Sequence, residues 1–377
     1  MRKISILLIC IGLSTFACKH KKDDNGSITK TVQADRSPLV KNWGNNVMMP
    51  RIDAFNTSVN AFDSEVQVFV GAPSLDNLKA LRIKFFDAYT KWQYVAPLDF
   101  GPSSNATILL ETTTVNAFPS DTTLIKNKIS QGATTITSTS GANYSGFPAI
   151  DYLLYAKSNT DQQIVDLFTS TPARGDLLKS ISARIKTQTT AVNQGWIAGG
   201  GNFITLYTDN TGLDLSSSTS QTINMMVADL ENVKNYKLGL PISISQNVVV
   251  SKTDVHPFSC EAYHSDSSLV LAKASIESLR LEYMGISSQD VDGYGLDDYL
   301  EAIGKSSLNS QIKTQIALVQ TKLNAISDPI SIAVQNADGK QKVNDAYTES
   351  LNLLTLLKVD LASAVGVMIS YGDQDGD

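Results

Sequence analysis

Only three histidines and three cysteines occur in 377 residues, so the side chains able to grip a transition metal or act as a strong nucleophile are few. His20 lies in a charged, small-residue stretch and His256 stands before Pro257. His264 alone has a carboxylate, Glu261, at a spacing that puts both on one face of a helix. Such a pair could ligate a metal or exchange a proton; as a bare helical pair it could equally be a solvated face or an interhelix hydrogen bond. Asp290, Asp292, Asp297 and Asp298 have a faint calcium-loop look, without the alternating oxygens and terminal glutamate of an EF-hand. The closing Asp373, Asp375 and Asp377 do alternate but run out of chain. Helix capping and surface charge account for both groups. Gly199-Gly200-Gly201 lacks the preceding strand and following Lys-Ser/Thr of a phosphate loop and is expected to be a turn. No Cys-x-x-Cys or His-Glu-x-x-His occurs, and abundant serine is no evidence for a nucleophile, so no catalytic residue is assigned.

The net charge of −6, from 31 basic and 37 acidic residues, argues against nucleic acid as a partner. Arg2 and Lys3, the apolar run Ile4 to Ile11, and Leu13-Ser14-Thr15-Phe16-Ala17-Cys18 form an export signal over residues 1–17. A small residue before Cys18 resembles a bacterial lipobox, in which that thiol is acylated; plain secretion is the alternative. Residues 18–36 then tether a lipid anchor to the folded body, and the expected location is the outer membrane, facing periplasm or cell surface. With Cys10 removed and Cys18 lipidated, Cys260 stands alone and packing must supply stability. Beyond the N-terminus no run approaches the ~18 apolar residues of a membrane span, so membrane contact is through the anchor only.

The elements that must position these residues are helical. From Leu39 to Val66 apolar residues recur every three or four positions, with a kink or break expected at Pro50. Ser74 and Asp76 start the next helix, which is expected to carry Leu75, Leu78, Leu81, Phe85, Tyr89 and Trp92 on its buried side. Further helices are expected at 121–129, 149–156, 162–169, 176–196, 221–236, 261–283, 296–303, 310–325 and 343–370. Alternation over 242–250 suggests a short β-hairpin. The fold class is all-α, two packed helical bundles spanning 37–205 and 206–377.

Several short motifs, in order along the chain, carry a resemblance. Gly146-Phe147-Pro148-Ala149-Ile150-Asp151 opens an apolar helix; Trp92-Gln93 is followed by Phe100-Gly101-Pro102. Ser217-Ser218 through Asn224 leads to Lys234 and Gly239-Leu240-Pro241; Glu261-Ala262-Tyr263-His264-Ser265 leads to Tyr283-Met284-Gly285; Asp375-Gly376-Asp377 closes the chain. This set resembles the imelysin family, in the form of its Bacteroidetes-type lipoproteins, whose signature is Gly-x-His-x-x-Glu. The resemblance implies a site where two helical bundles meet, and a role linked to peptidases or to iron acquisition. Here Pro148 stands in the histidine position and Asp151 in that of the glutamate. Proline in the first helical turn and an aspartate near a helix N-terminus also have purely structural explanations.

If the halves bring them together, Asp151, Glu261 and His264 would form a metal triad suited to iron or zinc, although no cofactor is required by the sequence. Alternatively, an aromatic and partly polar cleft at the junction would bind a small ligand. Its candidate residues are Trp92, Gly146, Pro148, Asp151, Tyr155, Glu261, Ser265 and Arg280, with Tyr152, Trp196 and Tyr283 nearby. The expected function is a lipid-anchored binding protein of the envelope serving iron or other nutrient uptake. The alternatives are a metal-dependent peptidase and an interaction lipoprotein with a vestigial site that docks an envelope transport partner.

Overall fold

The computed structural model describes residues 33–105, 112–137, 140–244, 255–327 and 329–370. The expected signal, lipidated Cys18 and acidic tail, and most of the expected hairpin, lie outside them. All regular elements among the described residues are helices, and Ile242 itself ends a short 3₁₀ turn over Leu240–Ile242. None is long and apolar enough to cross a membrane.

Two groups of helices make up the architecture. In the first, the Met49–Gly71 helix packs along both Leu75–Val95 and Pro172–Trp196. The buried stripe Ile52, Phe55, Val59, Phe62, Val66 and Phe69 has the three- and four-residue steps that face such a helix inward. In the second, Ser306–Asn324 pairs with Ala337–Thr355, which also packs on the π-helical segment Val233–Gly239. The Ser268–Tyr283 helix joins the groups, lying against both Leu75–Val95 and Ser306–Asn324. Residues from Ala34 onward form one compact unit, and position 205 falls inside the Phe203–Asp209 helix.

Local chemistry explains where these helices start. Ser74 Oγ accepts from the Asn77 amide at 3.2 Å, Asp121 Oδ1 from Leu124 at 2.8 Å, and Asn336 Oδ1 from Gly339 at 2.8 Å. Thr160 and Gln163 cap each other's backbone at the head of Asp161–Ser170. Pro50 does not break its helix. A π turn over Trp43–Met48 precedes it, and the proline sits in the first turn of the α-helix that follows, where its missing N–H is tolerated. Gly199–Gly201 is a helix stop, the Gly201 amide donating to the Gln194 carbonyl at 2.9 Å.

A buried ion pair ties the first group to the joining helix. Arg51 meets Glu282 at 3.2 Å, both side chains almost wholly enclosed. Arg51 also donates to the Ser278 carbonyl at 3.0 Å, and the Trp43 indole donates to the Glu282 carbonyl at 2.8 Å. Burial lowers the Arg51 pKa and lifts that of Glu282 to about 7, while their mutual attraction opposes both shifts.

Candidate functional site

Phe147–Tyr155 is a short, nearly all-buried helix whose entry is fixed by Gly146. A Cβ on Gly146 would fall 2.2 Å from the Val115 carbonyl oxygen, which is backbone and cannot swing aside. Gly146→Ala should therefore destabilise the fold by about 1–3 kcal/mol, measured by urea unfolding; a loss indistinguishable from zero would show that this approach can relax. Pro148 lies in the first turn, as its chemistry favours. Phe147 stacks on Tyr89 with ring centroids 4.8 Å apart, locking the helix against Leu75–Val95.

Asp151 is 1 % exposed and does not cap its own helix. Its Oδ2 accepts the backbone N–H of His264 at 2.8 Å and its Oδ1 that of Ser265 at 3.1 Å. Burial lifts its pKa to about 7, although the amides of the turn and the Ser265 hydroxyl pull it down. The expected helix over 261–283 accordingly begins only at Ser268. Residues 261–266 form a turn with Ala262 and Asp266 at φ 48° and 57°, so Glu261 and His264 do not share a helical face.

Glu261, 1 % exposed, faces a different set of partners. Lys237 Nζ lies 2.9 Å from its Oε2, while Asn116 Nδ2 and Gln93 Nε2 donate to Oε1 at 2.7 and 3.1 Å. Lys237 also donates to the Gln93 side-chain oxygen and, at 2.9 Å, to Ser275 Oγ. The Tyr89 hydroxyl completes the network by donating to Asn116 Oδ1 at 2.7 Å. Its members come from five stretches of chain, so this buried hub fixes how 89–93, 116, 237, 261 and 275 meet.

Two cavities flank the hub and share Phe118 as a wall. One, of about 240 Å³, is lined by Pro148, Asp151, Cys260, Ala262, Tyr263 and His264 among others. The second, of about 290 Å³, is lined by Trp92, Gln93, Asn116, Asp229, Asn232, Tyr236 and Lys237 among others. In the first, desolvation lowers the His264 pKa to about 4 and raises the Cys260 thiol to about 12, so a neutral imidazole and an unreactive thiol face the space.

The metal triad is not assembled. Among the described residues no group of three His, Cys, Asp or Glu side chains comes close enough to hold an ion. Asp151 is bound to amides, Glu261 to Lys237 and two carboxamides, and Pro148 offers no ligand. The donor set therefore does not fit the iron or zinc that the signature suggests.

The remaining candidates disperse. Trp92 lines the second cavity and Ser265 holds Asp151 through its amide. Tyr155 packs under Arg82, 4.5 Å from the ring centroid, beside a groove on another face. Arg280 pairs with Glu277 at 2.6 Å and lines neither cavity. Tyr152 packs its ring on His264, whereas Trp196 and Tyr283 are core residues.

The imelysin family model matches residues 48–357, most of the chain. The chain belongs to the imelysin family. Among solved structures this imelysin resembles a protein of Parabacteroides distasonis described as an iron-regulated protein A precursor. The identity is 19 % and the TM-score 0.70, covering 89 % of this chain and 97 % of the other. An imelysin-like protein of Psychrobacter arcticum matches at 18 % identity and TM-score 0.69, covering 90 % and 100 %. At such identities the likeness establishes the imelysin fold alone. No curated protein matches the chain.

Sequence reasoning missed the hub residues Lys237, Asn116, Tyr89 and Ser275, and the cavity carboxylate Asp229. Gln93 stood inside a quoted imelysin motif, and Lys237 immediately precedes Leu238-Gly239 in another. A buried lysine beside a glycine stop was the available signal.

Proposed function

We propose that this imelysin is a lipid-anchored binding protein of the cell envelope that holds a small ligand over Asp151 and serves uptake of iron or another nutrient. The Cys18 motif carries the anchor and outer-membrane placement. The observation that carries the binding role is the use of the signature carboxylate. Both oxygens of Asp151 are spent on the amides of His264 and Ser265, which hold the turn forming one wall of a 240 Å³ cavity. A carboxylate so engaged builds a wall; it neither activates water nor completes a metal centre. The name of the Parabacteroides relative supports the link to iron.

Extraction of small molecules from natively purified protein tests this reading. A compound should be released by the wild type and be missing from Ser120→Trp, which fills the cavity from its rim. Equal yields, or one tightly held metal per chain with chelator-sensitive peptide cleavage, would overturn it. The hub around Glu261 favours a second reading, an interaction lipoprotein with a vestigial site, since its polar groups largely satisfy one another. That reading gains if Ser120→Trp leaves growth under nutrient limitation unchanged.

A further inference from the structure

The second cavity contains a charge that the protein does not match. Asp229 is 8 % exposed and lines it, yet no donor among the described residues hydrogen-bonds its carboxylate. Lys237 is the nearby cation, but it donates to Gln93 and Ser275 and its charge is matched by Glu261. Glu282, the other carboxylate that senses Asp229, is matched by Arg51. Two buried cations thus face three buried carboxylates. Asp229 is the one left over, and burial with the nearby Glu261 charge pushes its pKa up to about 6 against the pull of Lys237.

The surroundings specify what would supply the missing charge. Trp92, Phe118 and Tyr236 contribute aromatic walls, and the volume of about 290 Å³ suits a molecule of few non-hydrogen atoms. Aromatic faces attract organic cations, and a desolvated carboxylate beside them is the counter-ion such a cation needs. A metal ion finds no third ligand here, because no group of three His, Cys, Asp or Glu converges among the described residues. We propose that this cavity binds an organic ammonium ion, with Asp229 as its counter-ion and Trp92, Phe118 and Tyr236 as its walls. The site is distinct from the cavity over Asp151 and stands or falls on its own residues.

Calorimetric titration of the full-length protein tests it with choline and butylammonium against their neutral counterparts, 3,3-dimethylbutanol and butanol. At least one ammonium should bind saturably, at least ten-fold more tightly than its neutral counterpart. Asp229→Asn should weaken that binding at least ten-fold, and Asp53→Asn, which removes an exposed carboxylate that lines neither cavity, should leave it unchanged. Ala96→Phe, which fills the cavity with the carboxylate intact, should abolish it and decides the matter if Asp229→Asn does not fold. Competition by phosphatidylethanolamine vesicles would assign the ammonium to a lipid headgroup, and no competition to a free amine. Failure of both ammonium ions to bind at millimolar concentration, equal binding of the neutral molecules, or wild-type binding by either cavity variant would overturn the proposal.

Discussion

Lys237→Met should lower the stability of the fold by about 3–5 kcal/mol, the range for removing one partner of a buried ion pair. The loss has two sources. Glu261 loses its cation in a nearly closed site, and Gln93 and Ser275 lose the ammonium they share. Converting the pair together, Lys237→Met with Glu261→Leu, should recover most of that loss, because two apolar side chains leave no stranded charge. Urea unfolding of the wild type, both single variants and the double variant gives the coupling directly. A single-variant loss below about 1 kcal/mol would mean that the pair behaves like an exposed one.

Asp151→Ala should cost about 2–5 kcal/mol, since it removes the acceptor of two partly buried backbone N–H groups at roughly 1–3 kcal/mol each. The turn they belong to holds two non-glycine residues, Ala262 and Asp266, in the left-handed region, so it has little intrinsic stability to fall back on. Asp151→Asn keeps the shape but can accept from only one of the two amides through its oxygen, and should lose roughly half as much. Differential scanning calorimetry of the two variants checks the order.

Two titrations of opposite sign meet in that turn. The Asp151 pKa rises on folding from 3.8 to about 7, so the folded chain holds the proton more tightly, and the stability gained is lost as pH rises from about 4 to 7. The His264 pKa falls from 6.5 to about 4, so its contribution is lost in the other direction, as pH falls from 6.5 to 4. In the wild type the two slopes oppose each other over this interval. His264→Phe should unmask stability that declines toward neutral pH, and Asp151→Asn stability that declines toward acid. Parallel profiles for the two variants between pH 4.5 and 6.5 would contradict both assignments.

The helices were legible because their apolar spacing and caps are local properties. The helix expected at 149–156 runs Phe147–Tyr155, that expected at 162–169 runs Asp161–Ser170, that expected at 121–129 runs Thr122–Ser130, and Ser74 caps the helix it was expected to start. The 261–267 segment was not legible, because Glu261, His264 and Ser268 have helical spacing while the group that diverts their backbone is Asp151, more than a hundred residues away. Long-range pairing hid the hub for the same reason: Glu261 meets Asn116 and Gln93 across 145 and 168 residues. Among the aromatic residues near helix ends, Trp92 lines the second cavity while Tyr155 faces a separate groove and Trp196 and Tyr283 are core, since helix ends also face other surfaces.

The π turn over Val233–Gly239 constrains how the hub can change. Such a turn carries one residue more than an α-helical path between the same ends. Removing that surplus residue would let the segment relax to a regular helix between unchanged ends, so the displacement falls on the residues inside the turn, Lys237 among them. The Lys237 ammonium would then leave its place beside Glu261 although every other hub residue is unchanged. That surplus residue sets where Lys237 leaves the backbone, and the length of this segment, more than the identity of most of its side chains, is what descendants of this sequence must preserve.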